Sequence, residues 1–149
     1  CQRLTTEPAD GSAPQCEKVD DMLEGRSMGQ FIILPDGKML VINGGLNGTA
    51  GHAEATGQIH TYGEMPFGMS LAAGPVGTPA IYDPNEPKGS RWSNKGLGTM
   101  NIARLYHSSA ILLPEASVLV AGSNPNVDVN TSTIFPTEYR SEIFYPPYF

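Results

Sequence analysis

Residues 103–126, ARLYHSSAILLPEASVLVAGSNPN, place Tyr106 beside His107 at the head of an apolar run. An imidazole nitrogen and a tyrosinate oxygen are both ligands for Cu(II), which favours square-planar or tetragonal N,O surroundings. Adjacent positions raise a geometric condition. Successive side chains of a regular strand leave opposite faces, so Tyr106 and His107 can share one metal only where the backbone is irregular. The start of a first strand is a place where such an irregularity occurs. The same Arg-x-Tyr-His-Ser order also suits groups that only hydrogen-bond a neighbouring repeat, and the residues alone leave both roles open.

Other reactive side chains form weaker patterns. His52 and His60 are eight residues apart, a spacing of no common metal motif, and are expected to be solvated loop residues. Asp20, Asp21 and Glu54 form no paired-carboxylate arrangement and read as surface charge. Ser108 and Ser109 follow a histidine without a G-x-S-x-G elbow around them, which argues against a serine hydrolase. Met65-Pro66-Phe67 suits either the rim of a substrate entrance or an apolar plug under a loop. Cys1 and Cys16 could form one disulfide or pair with cysteines elsewhere. Asn47-Gly48-Thr49 and Asn130-Thr131-Ser132 fit the N-glycosylation triplet in turn-like, polar surroundings. Together with the cysteines they point to a secreted, extracellular protein.

The elements that must position these residues come from an internal repeat. RSMGQFIILPDGKMLVINGG (26–45) and RLYHSSAILLPEASVLVAGS (104–123) share an arginine, a first apolar strand, a Leu-Pro turn, a second strand and a Gly-Gly or Gly-Ser ending. Pro35-Asp36-Gly37 is a turn between strands near 31–34 and 39–42, because proline fixes φ and glycine accepts positive φ. Ala116 stands where the first turn has glycine, so the second turn should either differ or carry about 1 kcal/mol of strain. TPAIYDPNEP and TEYRSEIFYPP supply a third strand after each hairpin. A fourth, around Arg91-Trp92-Ser93, has the lone Trp as an apolar anchor between sheets. The segment 46–77 is too long for a hairpin connection and reads either as an insertion projecting from one face to shape a pocket mouth or as a loose surface loop.

With 17 Gly and 13 Pro punctuating short apolar runs, the composition favours β structure over long helices. The expected fold is all-β, a kelch-type β-propeller fragment of about two blades. Its parts would be the end of one blade at 1–22, one blade at 25–95 and most of the next at 102–149. The remaining blades would be its principal partners, and the isolated segment should expose apolar sheet surface. Nine basic against fifteen acidic residues, net −6, with no basic cluster, exclude nucleic acid as a natural partner. No apolar run is long enough to cross a bilayer as a helix. A chain that begins with Cys1 rather than Met is expected to lie inside a longer or processed precursor.

In this order, ILPDGKMLVINGGLNGTAG, PAIYDP, RLYHSSAILLP, VLVAGSNPN and PTEYRSEIFYPPY resemble the central-to-late region of the glyoxal oxidase family, secreted copper radical oxidases related to galactose oxidase. The resemblance spans nearly the whole chain. It implies a mononuclear copper on the axis of a seven-bladed propeller, with aldehydes or primary alcohols as substrates and O2 reduced to H2O2. It implies that Tyr106 is an axial ligand and general base and His107 an equatorial ligand. The family's Tyr–Cys radical cofactor would lie upstream and a second histidine ligand downstream. Neither Cys1 nor Cys16 matches the cysteine of that crosslink. A copper-free propeller that binds protein or carbohydrate is the alternative, and the segment alone is expected to be inactive.

Overall fold

Two hairpins built on the Leu-Pro turns organise the chain. In the computed structural model, which describes residues 2–52 and 70–149, β3 (Gln30–Ile33) pairs antiparallel with β4 (Met39–Ile42), and β9 (Ser108–Leu112) with β10 (Val118–Gly122). The other strands are β1 (Gln2–Leu4), β2 (Cys16–Lys18), β5 (Gly45–His52), β6 (Ser70–Pro75), β7 (Ala80–Tyr82), β8 (Trp92–Ser93) and β11 (Glu142–Phe144). They form a four-stranded sheet in the order β3-β4-β7-β8, a three-stranded sheet β11-β10-β9, and the pairs β1-β2 and β5-β6. The described residues contain no helix.

Both turns close alike: Gly37 N–H donates to Leu34 O and Ala116 N–H to Leu113 O. Gly37 has φ 82° and Ala116 φ 74°, so the second hairpin keeps the first one's turn and accepts the strain of a left-handed alanine. Tyr148 Oη donates to Ala116 O at 2.6 Å and helps hold it there.

Alternation along the strands decides which faces pack. Ile32, Leu34, Leu40 and Ile42 from the first sheet meet Val118 and Val120 from the second, with Ala110, Leu112 and Phe144 at the edge. Leu34, Leu40, Ile42, Val118 and Val120, which are almost completely buried, each stabilise by about 1.5–3 kcal/mol over exposure. The opposite face of the first sheet joins Val41, Ala80, Tyr82 and Trp92 in a second core against Met22. Trp92 Nε1 donates to Asp20 O, while Asp20 Oδ2 accepts from Gly89 N and Arg91 N. Asp20 is therefore a latch between segments, not the plain surface charge expected from sequence; those backbone donors lower its pKa. Ile111 and Ile143 flank Leu119 in register on the outer face of the second sheet, and both isoleucines are exposed. An apolar face is thus left uncovered.

The 46–77 segment departs from expectation at its ends, where β5 and β6 form an antiparallel ribbon. Glycine-rich, unalternating LNGTAG carries little strand propensity, and cross-strand pairing makes the ribbon. His52 is consequently half-buried at the end of β5 rather than in a solvated loop. Asn47 lies exposed on β5, not in a turn. His60, Glu54, Met65-Pro66-Phe67 and Cys1 lie outside the described residues; Cys16 is an exposed free thiol on β2.

Candidate metal centre

The approach to β9 supplies the irregularity that the Tyr106–His107 pair requires. Ser108 N–H donates to Leu105 O at 3.1 Å, closing a tight turn, and His107 within it has φ 61°. This left-handed residue breaks strand alternation, so both rings leave on the same side. They stack with centroids 3.8 Å apart and planes 27° from parallel. Tyr106 is half-buried and His107 exposed.

Two neighbours fix the turn. Leu105 is fully buried against Gly45, where an added Cβ would meet Leu105 Cδ2 at 2.9 Å; only glycine leaves that room. Ahead of it, the buried Arg104 guanidinium donates from Nη1 to Gly122 O at 2.7 Å and Arg140 O at 2.9 Å, and pairs through Nη2 with Glu142 Oε2 at 3.0 Å. On the far side, Asn124 N–H donates to Tyr106 O at 2.7 Å and Asn124 O lies 3.2 Å from His107 Nδ1. A carbonyl oxygen only accepts, so Nδ1 carries the proton in this bond, and in the neutral imidazole the lone pair is then on Nε2. An imidazole oriented through its other nitrogen in this way is typical of a metal ligand.

Neither Tyr106 Oη nor His107 Nε2 has a hydrogen-bond partner among the described residues. An imidazole nitrogen and a phenol oxygen on stacked rings, both unengaged, are donor types that suit Cu(II). Two donors do not complete a coordination shell, and no group of three or more His, Cys, Asp or Glu side chains able to hold a metal occurs among the described residues. His52 is not brought to the pair by any described contact. Sequence reasoning passed over Asn124 and the extra residue Leu105. The latter leaves a signal, since Arg26 is nine residues before Pro35 but Arg104 ten before Pro114.

A family model described as "Glyoxal oxidase N-terminus" matches residues 1–148. The chain belongs to the glyoxal oxidase family. Glyoxal oxidase relatives include the aldehyde oxidase GLOX of Vitis pseudoreticulata, 38% identical over 99% of this chain and 26% of its own length. The aldehyde oxidase GLOX1 of Arabidopsis thaliana is also 38% identical, over 99% of this chain and 20% of its own. The chain thus spans about a quarter or less of these curated relatives. A solved fungal alcohol oxidase of the AA5 family, in complex with copper, superposes with a TM-score of 0.62. That match covers 93% of this chain and 23% of the other at 21% identity, and shows a shared fold. Because the matched model is the N-terminal part of glyoxal oxidase, the central-to-late placement expected from sequence is not supported. Repeated sheet units look alike, so their internal motifs do not reveal where along a chain they belong.

Proposed function

We propose that this chain contributes Tyr106 and His107 to the copper centre of a secreted copper radical oxidase, inside a seven-bladed kelch propeller. The parts 1–22, 25–95 and 102–149 would belong to three successive blades. The observation that carries this reading is the stacked pair on its left-handed turn, with Nδ1 engaged by Asn124 O and both outward donors unengaged. Membership of the glyoxal oxidase family supports it. The uncovered row Ile111–Leu119–Ile143 supports a further blade against the second sheet.

His107 would hold copper through Nε2, and its ring face, stacked on Tyr106, limits how far Tyr106 can swing. The Tyr106 phenolate oxygen takes the hydroxyl proton of a primary alcohol or aldehyde hydrate as a general base. Copper, when bound, supplies a Lewis acid for the substrate oxygen and a one-electron acceptor. The second oxidising equivalent belongs to a Tyr–Cys radical outside this segment. The balanced reaction is RCH2OH + O2 to RCHO + H2O2, or an aldehyde with water and O2 to the acid and H2O2. Asn47 and Asn130 are proposed N-glycosylation sites. Both are exposed.

Copper analysis and electron paramagnetic resonance of the complete protein test the proposal. One copper per chain is expected, lost in His107→Ala, with an altered Cu(II) spectrum in Tyr106→Phe. A complete protein that takes up no copper after loading would instead be a binding propeller for protein or carbohydrate.

A further inference from the structure

The loop after β10 is built around one side-chain oxygen. Asn124 Oδ1 accepts three hydrogen bonds: from Thr137 Oγ1 at 2.9 Å, Asn126 Nδ2 at 3.1 Å and Asn126 N at 3.3 Å. The Thr137 hydroxyl also accepts from Asn130 N–H at 2.9 Å, and Thr137 N–H donates to Asn130 O at 2.7 Å, so the direction of each bond is determined. Asn126 is nearly fully buried and its Nδ2 also donates to Phe135 O. Pro125, fully buried between the two asparagines, restricts the backbone of Asn124 as well as its own. Thus the side chain of Asn124 faces a fixed loop while its main chain grips Tyr106 O and His107 Nδ1.

We infer that Thr137, acting through Asn124, is a positioning residue for the Tyr106–His107 pair, and that this loop sets the imidazole's orientation before any metal arrives. The inference rests on the proposed copper site for its functional meaning. Its mechanical content does not. If the Thr137 hydroxyl is removed, Asn124 Oδ1 loses a donor and Asn130 N–H loses its acceptor. Asn124 then keeps only its bonds with Asn126 and Tyr106, so the hold on the carbonyl that faces His107 Nδ1 is loosened. Outer-shell partners of a metal-bound histidine are worth about 10–100-fold in metal affinity.

The test uses the complete protein with Thr137→Val, which keeps the shape and removes the hydroxyl, and Thr137→Ser, which restores it. Cu(II) affinity and paramagnetic resonance are measured on loaded protein, and hydrogen exchange across 104–109 on metal-free protein. Thr137→Val is expected to weaken copper about tenfold or more, broaden the Cu(II) spectrum and speed exchange across 104–109. Thr137→Ser should lie within about twofold of wild type. Wild-type affinity and spectrum in Thr137→Val, or an equal loss in Thr137→Ser, would overturn the inference. If the wild type takes up no copper, the metal reading fails separately and the exchange arm decides. Faster exchange confined to Thr137→Val then supports the clamp, and unchanged exchange overturns it.

Discussion

Met28 and His107 hold the same left-handed backbone conformation, φ 60° and 61°, each just ahead of the first strand of its hairpin. The correspondence continues 79 residues apart through Gly37 and Ala116, Asn43 and Gly122, and Gly44 and Ser123, all at positive φ. The bend is thus a property of the repeat, and only the second copy places an imidazole on it. A left-handed non-glycine residue costs about 1–2 kcal/mol, a strain tolerated where function needs the side chain. His107→Gly should therefore leave stability unchanged or raise it by up to about 1 kcal/mol, offset by glycine's greater unfolded entropy, while copper binding is lost. Met28→Gly should show the same stability effect and keep copper. Urea midpoints with copper analysis of the complete protein check this; a clear loss of stability in His107→Gly would make the histidine structural.

The paired turns allow a reciprocal exchange. Ala116→Gly relieves a left-handed alanine, and Gly37→Ala creates one at a site where no atom would lie within 4 Å of the new Cβ. The cost of Gly37→Ala is accordingly conformational, about 1 kcal/mol, and Ala116→Gly should gain somewhat less because glycine is freer when unfolded. Opposite shifts in denaturant midpoint, with unchanged slope, are the expected result.

Arg26 and Arg104 play one part in the two units. Arg26 donates to Asn43 O and Thr78 O and pairs with Glu24; Arg104 donates to Gly122 O and Arg140 O and pairs with Glu142. In each the buried Nε has no partner among the described residues. Arg104→Met strands two carbonyls and a carboxylate, so a loss of about 3–5 kcal/mol is expected. Arg104→Lys supplies one cation without the planar fork and should recover only part of it. Thermal unfolding of both variants measures the difference, and equal stability of the two would show that the fork geometry contributes nothing.

Much of the fold was legible because local chemistry and tertiary packing agree. The Leu-Pro turns, the apolar runs and Trp92 mark β3, β4, β8, β9 and β10 directly. The β5–β6 ribbon was not, since its glycines and alanines carry no alternation and only pairing defines it. At the proposed site, residue types single out Tyr106 and His107, and sharing one metal would need an irregular backbone there, which His107 at φ 61° supplies. The bend itself recurs at Met28, where no residue is added; what sequence pattern does not show is that Leu105, the residue added after the arginine in the second copy, is buried on Gly45 beneath it. Asn124 and Thr137 were invisible because their role lies in which hydrogen bond each atom makes, and a polar loop segment does not reveal that.

Glu138 gives the loop beside this site a pH dependence of known sign. Its side chain is 9% exposed, and bonds from Arg140 hold its carboxyl well below the ordinary 4.5, at about 2. Its own N–H donates to Ser123 O, tying it to the end of β10. A carboxylate whose pKa is depressed on folding contributes stability above its unfolded value, lost as pH falls from about 4.5 toward 2. Glu138→Gln should therefore be less stable than wild type at pH 7, and the gap should close as the pH is lowered through that window. Because Arg140 is 70% exposed, added salt at pH 7 should narrow the same gap. Urea titrations of both proteins between pH 7 and pH 2.5 measure it; a gap that stays constant with pH would mean that the Glu138–Arg140 pair does not couple to folding.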